Sequence, residues 1–284
     1  MNGWQILWAG LRIGLAIYLG LILVLFIFQA RYVYFPSRPL LATPATVGLA
    51  FEEVSLSSDQ QRIAAWWVPA PAARGTVLIC HGNGGNIGDR LHAVQLFHQL
   101  GMNVCIFDYR GYGKSTGRPS EAGTYADALA AWHFLTQTRQ LAPEQIIIVG
   151  RSLGGAVAAW LAQQHRPAGL ILEASFTSLP DVAARFYPYL PVRWLCRYRY
   201  PTRDYLSRVR CPVLVAHSRS DELIPYAQGE ALWAAAPEPK TFVELSGWHN
   251  DGEISSPAAY IQALDEFLGQ HLPQRTAEPA ARAD

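Results

Sequence analysis

Charge is sparse in this 284-residue chain: Asp, Glu, Lys and Arg make up 16% of it, and 23 Lys+Arg against 22 Asp+Glu leave a net charge near +1. Without a basic surplus there is little to neutralise a phosphate backbone, which argues against nucleic acid as a partner. Cysteine is nearly absent too. Cys80, Cys105, Cys196 and Cys211 are too few and too scattered for a disulfide framework or a paired CxxC zinc site. Cys80 and Cys105 lie in apolar runs and read as small core residues. No internal repeat is visible. Half of the residues are hydrophobic and 12% are aromatic, so the chain is neither disordered nor collagen-like. It is long enough for one large core or two small ones.

What is abundant is apolar sequence at the start. Residues 13–28 read IGLAIYLGLILVLFIF, sixteen positions without a charge. At 1.5 Å per residue they reach about 24 Å, short of a hydrocarbon core of roughly 30 Å. Counting from Trp4, with Arg12 snorkelling toward the nearer interface, makes up the difference. Trp4 and Trp8 before the run, and Tyr32 and Tyr34 after it, fit interfacial aromatic belts. A cleaved signal peptide is the main rival, but Phe28-Gln29-Ala30 lacks the small-x-small cleavage pattern. A buried core helix is the other, but the run is apolar all round. Residues 1–30 are therefore expected to form an uncleaved, single-pass membrane anchor. Arg12 on one side, against Arg31 and Arg38 on the other, leans the body toward the cytoplasm.

Pro36, Pro39 and Pro44 mark residues 31–50 as a linker. From 51 to 272 short β-rich runs alternate with amphipathic stretches. Strands are predicted at 51–56, 63–68, 76–80, 104–107, 146–149, 170–172, 213–216 and 242–245, with helices at 90–100, 125–138, 155–164 and 226–236. The first two strands pair antiparallel. Continuous apolar strands separated by helices are buried on both faces, which makes this an α/β protein with a mostly parallel eight-stranded sheet and right-handed crossovers. Residues 273–284, rich in Ala, Pro, Arg and Glu, read as a frayed tail.

Three strand ends carry candidate chemistry. The strand at 146–149 runs into Gly150-Arg151-Ser152-Leu153-Gly154-Gly155 and then a helical stretch. This is G-x-S-x-G in strand–turn–helix context, which lifts a serine hydroxyl above the sheet. A serine hydroxyl is a poor nucleophile until a nearby base takes its proton. A second G-x-S-x-G at 113–117 has no helix after it, so Ser115 reads as a structural turn. Its Gly-Lys-Ser also fails the phosphate-loop pattern, because Asp108 stands where glycine is required. After the strand at 213–216 comes His217-Ser218-Arg219-Ser220-Asp221-Glu222. Asp221 is the expected acid to hold a catalytic imidazole, with Glu222 beside it as the alternative, while Asp204 and Asp251 read as solvated loop acids. After the last strand, Gly247-Trp248-His249 supplies the imidazole, completing the chain order Ser, Asp, His. His92, His98 and His133 fall on predicted helices, and His81 and His217 end strands and read as structural. A tetrahedral intermediate also needs waiting donors. The glycine-rich loop His81-Gly82-Asn83-Gly84-Gly85-Asn86 suits one, so the backbone N–H groups of Asn83 and Leu153 are the expected oxyanion hole.

Taken together, His81-Gly82, the loop at 107–117, GRSLGG, CPVLVAHSRSDELIP and GWHND resemble the α/β-hydrolase superfamily over about residues 30–270. They are closest in pattern to its membrane-anchored branch related to protein depalmitoylases and bacterial serine aminopeptidase-like proteins. The resemblance implies an α/β-hydrolase fold and a serine hydrolase of esters or thioesters that needs neither metal nor cofactor. Ser152 would be acylated with His249 as base, and His249 would then activate the water that releases the acyl group. One departure is Ser218, where the pattern has glycine, and it bears on the turn that places Asp221.

Residues 176–210 sit where this superfamily places its cap. They hold seven arginines against Asp181 and Asp204, together with eight aromatic residues. Two readings stand: a cap against anionic lipid that admits an acyl chain, or a solvated arginine face with structural aromatics. The expected partners are a small-molecule or lipid-like acyl substrate and membrane lipid. An aminopeptidase or amidase on the same residues, and a catalytically silent binding module, are the competing functions.

Overall fold

The computed structural model describes residues 2–251 and 255–273; most of the tail expected at 273–284 lies outside them. Eight strands form one sheet: β1 (Glu52–Ser58), β2 (Gln61–Val68), β3 (Gly75–Cys80), β4 (Met102–Phe107), β5 (Ile146–Arg151), β6 (Gly169–Glu173), β7 (Val213–Ser218) and β8 (Lys240–Leu245). Their spatial order is β8-β7-β6-β5-β3-β4-β2-β1. β2 runs antiparallel to both its neighbours, and all other pairs are parallel. The predicted α/β sheet is the one observed.

Alternation along each strand explains why the sheet is covered on both faces. Leu78, Ile148, Leu170 and Val213 point into one core, with Ala128 and Trp132 of α4 (Glu121–His133), Val157 and Leu161 of α5 (Leu153–Gln164) and Leu232 of α9 (Tyr226–Ala235). Val77, Ile147, Ile171 and Leu214 point into the other, with Val94 and Phe97 of α3 (Leu91–Gln99) and Leu264 and Phe267 of α10 (Pro257–His271). Each fully buried aliphatic side chain contributes roughly 1.5–3 kcal/mol relative to exposure.

The strand order also creates the crevice. From β3 the chain moves outward to β4 through α3, then jumps back over β3 to β5 through α4. Right-handed crossovers in opposite directions put the two helices on opposite faces. The loops leaving β3 and β5 therefore diverge at a topological switch point, where open α/β sheets bind ligands.

Two of the helices start earlier than the apolar pattern suggested, while α3 and α9 start within one residue of it. Ser120 caps α4 by accepting from Gly123 N–H at 3.1 Å, so that helix begins before Tyr125, and α5 begins directly after Ser152. At the front, α1 (Gly3–Ile27) has no buried residue and is long and apolar enough to cross a membrane. The stretch read as a linker is laid against the body. After α2 (Gln29–Val33), Phe35–Pro36 pairs in parallel with Gly84–Gly85, and Val33, Tyr34 and Pro44 are buried. Between β6 and β7 stand α6 (Leu179–Phe186), α7 (Val192–Leu195) and α8 (Thr202–Leu206).

Candidate functional site

Ser152 sits at φ 52°, ψ −119°, a left-handed conformation that a serine adopts only when its surroundings hold it there. Its N–H donates to Glu173 O at 2.9 Å, and Ser175 Oγ donates to its carbonyl at 3.0 Å. The turn is tight enough that a Cβ at Gly154 would collide with the carbonyl of Cys80, and one at Gly150 with Gly154 O. Glycine at both positions is thus a steric requirement of the turn.

The structure brings the three expected side chains together from three strand ends. Ser152 Oγ lies 3.1 Å from His249 Nε2, and His249 Nδ1 lies 2.8 Å from Asp221 Oδ2. An ionised carboxylate only accepts, so Nδ1 carries the proton and Nε2 is left to accept from the serine hydroxyl. Burial pushes the Asp221 carboxyl up. The His249 ring N–H and the Ile224 backbone N–H (2.7 Å) outweigh that and hold it below the ordinary carboxylate range. Leu223 N–H adds a further bond to Asp221 Oδ1 at 2.9 Å.

Glu222 does not approach the imidazole. Its carboxylate instead accepts from the main-chain N–H of His249 at 2.8 Å. Arg151 Nη2 donates to the carbonyl of the same residue at 3.0 Å, and Arg151 itself stands 4.0 Å from Glu173, which also accepts from the Tyr260 hydroxyl. The backbone of His249 is thus held at both ends. Ser218, the departure from the glycine pattern, bonds through its hydroxyl to Gly247 O and accepts from Ser220 N–H at 3.1 Å. That hydroxyl ties the loop carrying Asp221 to the loop carrying His249. Sequence reasoning missed the clamps by Glu222, Arg151 and Ser218. Each carried a positional signal, Arg151 inside the G-x-S-x-G stretch, Glu222 beside Asp221 and Ser218 at the turn before it, but none that showed the bond it makes.

Asn83 and Leu153 both border the cavity above Ser152. The carbonyl of Asn83 accepts from Phe35 N–H at 3.0 Å and from the Tyr112 hydroxyl at 2.7 Å, and its side chain donates to Val33 O at 2.8 Å. The segment following α1 is thereby joined to the loop expected to supply an oxyanion donor.

His81 and Ser115 stay outside this chain of bonds, while His217 Nε2 stands 3.5 Å from Asp221 Oδ2. His81 Nδ1 donates to Gly82 O at 2.7 Å, and its Nε2 faces Asp108 at 3.6 Å. His217 Nε2 donates to Ile224 O at 2.9 Å, bracing the Asp221 loop from below, and burial pushes its pKa down. Ser115 is fully buried, donating to Asp108 O and accepting from Ala64 N–H, both at 2.9 Å. It is the structural turn the sequence indicated.

The cavity over Ser152 measures about 560 Å³. Its walls come from α6 and α7, from the loops carrying Asn83 and His249, and from Ile22, Leu25 and Phe26 of α1. Among its described lining residues there is no carboxylate, whereas Arg90 and Arg151 border it.

The serine aminopeptidase, S33, family profile matches residues 71–205. An uncharacterized protein of Mycobacterium tuberculosis is 40% identical over 253 residues, 88% of this chain and 90% of that one. The α/β-hydrolase domain-containing protein WAV2 of Arabidopsis thaliana is 36% identical over 90% of this chain and 92% of its own. This chain belongs to the α/β-hydrolase superfamily. The Pyrococcus furiosus esterase Pf2001 has the same fold, with a TM-score of 0.69 at 18% identity, covering 85% of this chain and 98% of that one. The α/β-hydrolase body accounts for the eight strands; the apolar helix stands ahead of it.

Proposed function

We propose that this protein is a membrane-anchored serine hydrolase that cleaves carboxylic esters or thioesters of acyl groups through Ser152, His249 and Asp221. The observation that carries the reading is the unbroken chain of contacts from Asp221 to His249 to Ser152 Oγ, ending beneath a largely apolar cavity. Ser152 Oγ attacks the acyl carbon while its proton passes to His249 Nε2. Asp221 stabilises the imidazolium, and the backbone N–H groups of Asn83 and Leu153 receive the oxyanion. Collapse expels the alcohol or thiol, which leaves with the proton from His249. Water, deprotonated by the same ring, then releases the carboxylic acid and restores the serine.

The lining favours acyl esters over aminoacyl substrates. An aminopeptidase must hold an α-ammonium group, and a cavity bordered by two arginines and no carboxylate among its described residues is a poor site for one. In this reading helix α1 is the anchor, and Arg31 and Arg38 after it, against Arg12 before it, lean the body toward the cytoplasmic side. The test is labelling by a fluorophosphonate probe, beside turnover of p-nitrophenyl esters and aminoacyl anilides. Labelling and ester turnover in the wild type, with both absent in Ser152→Ala, are expected; equal labelling of the two proteins would sink the proposal.

A further inference from the structure

The structure assigns the C-terminal half of α1 a second role: it is one wall of the acyl-binding pocket, and with α6 and α7 it forms a mouth through which the acyl chain of a bilayer-resident ester enters. This rests on the proposed ester hydrolysis and deepens it, because it names the substrate as a long-chain acyl ester and the residues that read its chain.

Three observations converge. First, Ile22, Leu25 and Phe26 border the same cavity as Ser152 and His249, together with Val182, Phe186 and Val192. The pocket is thus continuous from the nucleophile to the surface of the anchor.

Second, α1 and the short α2 that directly follows it are held against the cap and do not hang as a tether. Gln29 Nε2 donates to Leu195 O at 2.7 Å, and Gln29 Oε1 accepts from Arg197 N–H at 2.8 Å. The Arg197 guanidinium lies over the Phe26 ring at 5.6 Å. The Tyr34 hydroxyl lies 2.8 Å from that of Tyr200.

Third, the cap reaches down the anchor. Tyr18 Oη donates to Tyr189 O at 2.9 Å. Tyr18 precedes the end of α1 by nine residues, about 14 Å of helix. The 25 residues of α1 span about 37 Å, only some 7 Å more than a hydrocarbon core. A spanning α1 therefore carries Tyr189 below the headgroup level, within the roughly 5–10 Å depth that interfacial segments reach. Exposure fits that placement: Tyr189 and Trp194 are 89% and 87% exposed, and Phe186 is half exposed. These side chains are costly in water and suited to the interface. Arg193, ion-paired with Asp181 at 3.2 Å, and Arg199 stand on the same segment.

An ester whose chain already lies in the bilayer then needs no transfer through water, since the pocket mouth between α1 and the cap opens into hydrocarbon. The outer face of α1 meets lipid, while Ile22, Leu25 and Phe26 meet substrate.

The test uses the full chain in nanodiscs, with p-nitrophenyl esters from acetyl to palmitoyl and a long-chain monoacylglycerol. The wild type should gain about two- to fourfold in kcat/KM per methylene until the pocket is filled. Leu25→Trp, which obstructs the wall, should lower the ratio of myristoyl to butyryl kcat/KM by tenfold or more, and monoacylglycerol hydrolysis with it. Phe26→Ala, which widens the wall, should move the optimum to longer chains and covers the case in which the tryptophan variant does not fold. Leu15→Trp, on a turn that does not line the cavity, should match the wild type. Wild-type selectivity in both Leu25→Trp and Phe26→Ala, or a wild type indifferent to chain length, would overturn the inference while leaving ester hydrolysis standing. Ester turnover that persists in Ser152→Ala would instead overturn the reading beneath it.

Discussion

The Glu222 carboxylate accepts a hydrogen bond from the main-chain N–H of His249 at 2.8 Å, while the neighbouring Asp221 accepts from the ring of that same histidine. Two adjacent acids thus hold one residue by different handles. Asp221 sets the tautomer of the imidazole, and Glu222 sets where its backbone lies.

Replacing the two acids should separate these roles. Asp221→Asn should lower kcat by about three to four orders of magnitude, because the amide favours the wrong tautomer. Glu222→Ala should lower kcat by about tenfold, the scale of one hydrogen bond to a charged group, with KM little changed and partial recovery in Glu222→Gln. Steady-state kinetics on a short ester decides the matter. Equal losses in Asp221→Asn and Glu222→Ala would mean that the two acids are not divided in this way.

The Ser218 hydroxyl bridges the loops of Asp221 and His249, so Ser218→Ala should lose about 1 kcal/mol in urea unfolding and lower kcat more than it raises KM. An unchanged midpoint together with an unchanged kcat would show that the bridge is idle.

Asp108 and His81 face each other in the core beneath the glycine-rich loop. Burial pushes the Asp108 carboxyl up to about 7, and burial followed by the nearby Arg90 guanidinium pushes His81 down to about 3. A raised carboxyl pKa gives stability that is full below the unfolded value near 4 and is lost as pH rises through 7. A lowered histidine pKa works the other way, with stability rising as pH climbs from 3 to about 6.5. The two nearly cancel between pH 4 and 6.5. Asp108→Asn removes only the falling part, so its stability relative to the wild type should grow from pH 4 to pH 7, by up to ~4 kcal/mol. Denaturant titrations at several pH values measure this, and parallel curves for the two proteins would refute it.

Gly154 packs against the carbonyl of Cys80 with no room for a methyl group. Because the obstacle is backbone of the central strand, Gly154→Ala should cost about 3 kcal/mol and lower the yield of soluble protein. A thermal midpoint equal to that of the wild type would contradict the steric account.

The local signals were legible because each is short-range physics. Strand periodicity, the strand–turn–helix setting of Ser152, and the order of Asp221 and His249 after the last two strands all follow from the chain's own pattern. The decoy at Ser115 was separable for the same reason: no helix follows it, and its hydroxyl closes a buried turn. The start of α4 is not legible from periodicity because its cap, Ser120, acts through one side-chain bond and leaves no periodic trace.

An apolar helix ahead of an α/β body, and a serine, an acid and a histidine at three strand ends, follow from the residue pattern alone. The contacts among Ser152 Oγ, His249 and Asp221, the clamp at Glu222, the bridge at Ser218 and the place of Ile22, Leu25 and Phe26 on the serine's cavity emerge only in the packed fold. Those are relations between residues dozens to hundreds of positions apart. They depend on how the crossovers, the cap and the anchor pack, and no local pattern of side chains encodes a distance across the fold.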